Sequence, residues 1–251
     1  MAESRLKRLK RATVHRAGKR FLRAILNFQG RHSEIGIEPI LANSTFSWVE
    51  QLESNWKTIR REFDHVWQRP EDIPAFHQIS PDQARISVGD NWKTYGLYIF
   101  GQTVEPNCSE CPETAAQLRD IPGLQNAWFS ILAPGYHIPA HRGPTRALVR
   151  VHLGLRIPAQ AEKCWLRVDQ EVTHWQEGHC LLFDDTYEHE VKNETDEYRC
   201  VLFVDVDRPM DRVGSAFNRS VLRLVQASHY VKDPIANLAA WNQRKRGDTD
   251  V

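Results

Sequence analysis

Pro139-Ala140-His141-Arg142-Gly143-Pro144 and Phe183-Asp184-Asp185-Thr186-Tyr187-Glu188-His189-Glu190-Val191 each set a histidine at the end of an apolar, strand-like run. Two imidazoles so distant in the chain can meet at one rim of a β-barrel, and they read as a candidate metal pair. Around them, Arg150, His152 and Arg199 lie on alternating apolar and polar stretches, whose period of two sends every second residue to one face. Arg150 and His152 are two apart, so a strand over 147–155 points them the same way. Buried cations need an anion. Two imidazoles, donor groups on interior strand faces and a cavity between them suit a metal enzyme with a small carboxylate co-substrate.

The block 126–207 predicts eight short strands: 127–132, 136–139, 147–155, 164–168, 171–175, 180–183, 189–191 and 199–206. Pro134-Gly135, Arg142-Gly143-Pro144, Pro158-Ala159-Gln160 and Gln176-Glu177-Gly178 separate them. Short strands punctuated this way close into a sandwich or jelly roll, with the two histidines at its open mouth. Upstream, Trp92–Phe100 reads as a further strand, with Trp92, Thr94, Gly96, Tyr98 and Phe100 on one face. Val49, Leu52, Trp56, Ile59, Phe63 and Val66 make one continuous apolar helix face, with Ser47 and Glu50 as a capping box. Pro70 and Pro74 break it, and the polar segment 75–90 reads as a loop bordering a cleft. Downstream, 215–226 is a helix packed beneath the barrel, and a last short helix follows Pro234.

A chain of 251 residues with 41% hydrophobic content can bury one sizeable core. No run of eighteen apolar residues occurs and no apolar signal core follows Met1, which predicts neither a membrane span nor secretion. Five cysteines without dense spacing argue against a disulfide scaffold, and Cys108-Ser109-Glu110-Cys111 lacks the partners of a structural zinc site, so packed thiols in a reducing cytoplasm are expected. The net charge of +1 hides an asymmetry. Residues 1–31 hold ten Lys or Arg against Glu3, net +9, while the remaining 23 basic and 31 acidic residues give −8. Leu6, Leu9, Val14, Phe21, Ile25 and Phe28 recur at helical spacing within this arm, so residues 1–31 suit peripheral contact with an anionic inner membrane, or docking on the acidic body. Nucleic acid is the weaker reading of the same charge. The expected organisation is an arm over 1–43, a barrel with helical lead-in over 44–210, and C-terminal helices and a tail over 211–251.

His141-x-Gly143-Pro144, Arg150-x-His152-Leu153-x-Leu155, Trp175-x-Glu177-Gly178, Phe183-Asp184-Asp185-x-x-x-His189-x-Val191-x-Asn193 and Arg199-x-x-Leu202-x-x-Asp205-x-x-Arg208-Pro209 appear in order over about 85–210. Together they resemble the aspartyl/asparaginyl β-hydroxylase family of iron(II)- and 2-oxoglutarate-dependent dioxygenases, which also includes fatty-acyl hydroxylases acting on lipid A and ornithine lipids. The resemblance implies a mainly β fold with flanking helices, a double-stranded β-helix of the jelly-roll, cupin-like kind. It implies that His141 and His189 ligate Fe(II), that Ser130, Arg150, His152 and Arg199 hold 2-oxoglutarate, and that O2 is the oxidant. Non-heme iron oxygenases usually carry an Asp or Glu two residues after the first histidine. This chain has Gly143 there, and the family implies water in the vacant position. Asp184 and Asp185 read as turn-capping residues or support for His189 rather than the missing carboxylate, and Asp205 reads as structural.

The implied reaction hydroxylates an unactivated C–H with release of succinate and CO2. Aspartyl/asparaginyl-type hydroxylation is the family-level expectation, and an acyl chain on a membrane lipid is the alternative, so the substrate is a peptide, an amino acid or a lipid. A non-catalytic cupin-like binding module would share the fold, but it has no reason to keep Arg199, Ser130, Arg150 and His152 along with both histidines.

Overall fold

The computed structural model describes residues 20–226 and 229–247. Residues 1–19 of the arm lie outside the described residues, while 20–31 form a helix, α1. Helices α2 (Trp48–Ser54) and α3 (Trp56–Val66) follow, and the expected single helix is two. Asn55 leaves helical geometry at φ −96°, ψ 5° and turns its side-chain amide back onto the Gln51 carbonyl. This is the local competition that makes Asn a helix breaker. The apolar face survives the break, with Val49, Leu52, Ile59, Phe63 and Val66 all buried. Ser47 makes no capping hydrogen bond, so the expected box is absent.

Eleven strands are present among the described residues: β1 (Ile40–Leu41), β2 (Trp92–Ile99), β3 (Gln102–Thr103), β4 (Leu124–Leu132), β5 (His137–His141), β6 (Leu148–Arg156), β7 (Cys164–Val168), β8 (Glu171–His174), β9 (Cys180–Phe183), β10 (His189–Asn193) and β11 (Arg199–Asp207). They form a seven-stranded sheet in the order β1-β9-β6-β11-β4-β2-β3 and a four-stranded sheet in the order β5-β10-β7-β8. The strand pairs are antiparallel, and the two sheets face each other as a double-stranded β-helix with flanking helices.

Alternation sorts each strand of the large sheet into two layers. Val149, Val151, Leu153 and Leu155 of β6, with Leu202, Val204 and Val206 of β11, join Ile59, Phe63 and Leu118 in a core beneath the helices. The opposite residues turn toward the small sheet, where Leu132, Leu166, Trp175, Phe183 and Val201 pack together. Arg150, His152 and Arg199 lie in that second set, so the period of two carries them between the sheets. In β2 a register shift between Gly96 and Tyr98 interrupts the alternation. Tyr98 therefore joins the helix-side core and Ile99 takes the inner face, the reverse of what strict alternation predicts.

Cys108, within helix α5 (Glu105–Glu110), and Cys111, between it and α6 (Pro112–Arg119), are buried and form no disulfide. The segment 75–90 is more ordered than a polar loop and contains the single-turn helix α4 (Phe76–Ile79). Helices α7 (Arg212–Gln226) and α8 (His229–Gly247) end the fold, and Pro234 lies inside α8 rather than ahead of it. As the sixth residue of the helix, Pro234 removes one i→i−4 hydrogen bond, so α8 is continuous through it with one backbone bond fewer.

Candidate active site

His141 at the end of β5 sits opposite His189 at the start of β10, with ring centroids 4.1 Å apart. Each ring is set by its own main chain. His141 Nδ1 lies 2.8 Å from the Pro139 carbonyl and His189 Nδ1 lies 3.0 Å from the Tyr187 carbonyl. A carbonyl only accepts, so both Nδ1 atoms carry the proton and both Nε2 atoms present a lone pair. Burial lowers the pKa of His141 to about 4; burial and then the His141 ring lower that of His189 to about 3. At neutral pH the pair is uncharged, the state in which imidazole binds metal. No group of three or more His, Cys, Asp or Glu side chains poised around one point occurs among the described residues. A divalent metal would thus take two protein nitrogens and leave the rest of its sphere to small ligands.

Gly143 lies where a third ligand would be expected, and the Asp185 carboxylate occupies the space its side chain would need. Any Cβ at 143 would run into that carboxylate, and the Gly143 amide donates to the Asp185 carbonyl at 2.7 Å. Burial raises the Asp185 carboxyl to about 6, against the opposing effect of Arg150, which it meets at 3.1 Å. Gly143→Asp is therefore expected to overpack the site and set two carboxyls against each other, costing about 1–3 kcal/mol of stability and lowering turnover. Thermal unfolding checks it: a G143D protein as stable and active as the parent would show that Asp185 does not hold this space.

Behind the histidines lie two buried donors without acceptors. Arg199 is 2% exposed; its Nη1 donates to the Ser130 carbonyl at 3.3 Å and its guanidinium meets the Cys164 thiol, but its Nε has no partner and no described carboxylate pairs with it. His152 accepts at Nδ1 from Trp175 Nε1 at 3.3 Å, which places its proton on Nε2, and that atom is also buried without a partner. Burial and the nearby arginines hold His152 neutral, well below its ordinary pKa. Trp175 ties the two together, since the Arg199 guanidinium lies 4.6 Å above its ring. Ser130 Oγ accepts from Trp92 Nε1 at 3.0 Å, leaving its own proton to donate. An unmatched buried cation beside unmatched N–H groups is costly unless a bound anion completes them, so these residues fit a small carboxylate.

Arg150, expected beside His152 among the co-substrate's holders, is engaged otherwise. Its guanidinium meets Asp205 at 2.9 and 3.3 Å as well as Asp185, and Asp205 also accepts from Asn126 at 3.2 Å. Asp184 faces the other way. It is fully buried between Arg146 and Arg208, each 2.8 Å from Oδ2, and caps the turn at Thr186, so it anchors the segment that presents His189. His137, His174 and His179 remain peripheral.

A cleft of about 160 Å³ runs from His141, Gly143, Arg150 and Asp185 to Ile79, Ile99 and Phe100. Phe76, Trp92, Trp128 and Phe203 wall it, with Trp128 stacked on Phe203 at 4.0 Å and Phe76 against Trp92 at 4.5 Å. Arg85 and Arg142 stand at its exposed mouth. Phe76, Ile79 and Ile86 come from the segment read as polar; three apolar residues among polar ones were the available signal.

The family model for aspartyl/asparaginyl β-hydroxylase matches residues 53–209. The chain belongs to this family of hydroxylases. An ornithine lipid ester-linked acyl 2-hydroxylase of Rhizobium tropici is 40% identical over 214 residues, 85% of this chain and 76% of that protein. The human aspartyl/asparaginyl β-hydroxylase is 34% identical over 166 residues, 64% of this chain but only 21% of the longer human protein. Among solved structures, a cupin 2 conserved barrel domain protein from Salinispora arenicola aligns at a TM-score of 0.32 and 14% identity, over 56% of this chain and 92% of that one.

Proposed function

We propose that this protein is an iron(II)- and 2-oxoglutarate-dependent hydroxylase acting on an acyl chain of a polar membrane lipid. For the cofactors, the supporting observation is the pairing of two bare, neutral imidazoles with an uncompensated buried Arg199. Nε2 of His141 and of His189 would hold the iron. Arg199, with the Ser130 hydroxyl, would receive the distal carboxylate of 2-oxoglutarate through charge-assisted bonds, and His152 Nε2–H would donate to the other carboxylate. Arg150 would act through Asp185 and Asp205, holding both carboxylates in place rather than clamping the co-substrate. The iron with 2-oxoglutarate and O2 supplies the oxidation of an unactivated C–H, with succinate and CO2 as co-products. Around it the chain binds, orients and excludes water: the stacked Trp128 and Phe203 and the Phe76–Trp92 contact keep the reacting end apolar.

For the substrate, the cleft wall carries the reading. Beyond the polar end its lining is mostly aromatic and aliphatic, and its half-buried arginine, Arg150, is already matched by two aspartates. A substrate carboxylate would meet Asp185 and Asp205, whereas a methylene chain meets apolar surface. Arg85 and Arg142 at the mouth suit an anionic head group. The extent of the likeness to the Rhizobium tropici lipid hydroxylase supports the same reading. No helix among the described residues is long and apolar enough to cross a membrane. We place the protein on the cytoplasmic face of an anionic membrane, held there by the basic residues of 1–31.

The test is anaerobic titration of the protein with iron(II) and 2-oxoglutarate, followed by lipid mass spectrometry of expressing cells. The expected results are a visible charge-transfer band and a gain of one oxygen on an acyl chain, with one succinate formed per oxygen inserted. A band with no altered lipid, but with hydroxylation of an Asp or Asn side chain, would move the substrate to the peptide class. Neither band nor succinate would leave the binding module.

A further inference from the structure

The apolar end of the cleft is closed by a wall one side chain thick. Ile99 of β2 and Leu238 of α8 pack with Ile79 into a small buried cluster. Ile99 lines the active-site cleft on one side, and on the other both Ile99 and Leu238 line a second cleft, of about 280 Å³, between α8 and the β2–β3 edge. That second space is also largely apolar, with Val104, Pro106, Ile235 and Ala239 in its walls.

Three features hold the wall in position. The register shift after Gly96 turns Ile99 rather than Tyr98 to the inner face. Gly96 lets the helix approach, because a Cβ there would come within 2.9 Å of Leu238 Cδ2. Helix α8 is tied down by its polar side chains: Asn237 Nδ2 donates to the Ile79 carbonyl at 2.9 Å, Trp241 Nε1 to the Asp72 carbonyl at 2.8 Å, and Asn242 Nδ2 to Asn107 Oδ1 at 3.0 Å. The hydrogen bond to Ile79 joins the helix to the cleft wall itself.

We propose that Ile99 and Leu238 are the chain-length stop of the acyl site, and that the cleft beyond them receives the end of a longer chain once the stop is trimmed. This rests on the acyl-chain reading of the active site. A chain that reaches the wall fills apolar space with each added methylene; one that is longer must fold back or displace a packed side chain. Each methylene past the limit should therefore lose roughly tenfold in affinity or turnover.

The experiment uses the full chain and displacement of a fluorescent fatty acid by a series of saturated fatty acids from lauric to stearic, which needs no turnover. Lipid mass spectrometry of cells expressing each variant runs beside it. The wild type should show a length limit. Ile99→Ala and Leu238→Ala should move that limit to longer acids, and Leu238→Phe should move it to shorter ones. Ile99→Val, a smaller change, serves should the alanine variants not fold, and should move the limit less in the same direction. Folded variants whose limit coincides with that of the wild type would overturn the stop. A limit that moves as expected in a protein that hydroxylates no lipid would uphold the stop and remove the lipid as the hydroxylated substrate. Binding of no fatty acid at any length would overturn both.

Discussion

His189→Ala is expected to yield a folded protein that has lost iron and turnover, with iron affinity down by more than the roughly 10–100-fold that follows loss of an outer-shell partner. His141→Ala should do the same, because among the described residues no third nitrogen, sulfur or carboxylate completes a cluster with the remaining imidazole. The rings are prepared for the metal before it arrives. Carbonyls of Pro139 and Tyr187 hold the Nδ1 protons, and the lowered pKa values keep both Nε2 atoms free of competing protons at neutral pH. The same shifts have a measurable sign in the apo protein. As the pH falls from about 6.5 toward about 3, the unfolded chain takes up protons that the folded pair refuses, so stability is present at neutral pH and lost on acidification. Each alanine variant should flatten that acid limb. Metal titration at neutral pH, with unfolding followed from pH 7 to pH 4, reads both effects; undiminished iron binding by either variant would remove the pair from the metal.

The parts of this site that rest on period and position were legible in the sequence. Arg150 and His152, two apart in an alternating run, do share the inner face of β6, and strand ends do bring His141 and His189 together. What depends on strand register was not legible. Arg150 reads as a lone interior cation until β6 is aligned with β11, which places Arg150 opposite Asp205. Asp184 and Asp185 are adjacent and equivalent as letters, yet one binds two arginines in the scaffold and the other lies over Gly143. Trp175 read as part of a motif, but its bridging of Arg199 and His152 needs the two sheets face to face. The cleft wall was hidden for a different reason. Ile99 reaches it through a bulge, and Leu238 lies far downstream on a helix whose proline read as a boundary.

Arg199→Met separates what this arginine does for binding from what it does for folding, because the two effects have opposite signs. With 2-oxoglutarate in place, the guanidinium would match a buried carboxylate, and removing one member of such a pair costs about 2–5 kcal/mol, a rise of roughly thirtyfold to several thousandfold in the co-substrate concentration required. Without it, Arg199 is a buried cation with no described carboxylate beside it and an Nε lacking any acceptor. Burial alone lowers its pKa, the mark of a charge held at a cost. Methionine fills similar volume beside Trp175 and carries no charge, and exchanging buried ionic groups for apolar ones is often neutral or stabilising. The apo R199M protein should thus melt at or above the wild-type temperature, while the rise in melting temperature on adding 2-oxoglutarate shrinks or disappears. A wild-type response to 2-oxoglutarate in a destabilised R199M would mean the opposite assignment: Arg199 would be serving the fold, through the Ser130 carbonyl and the Trp175 ring, and the co-substrate's distal carboxylate would have to be held elsewhere.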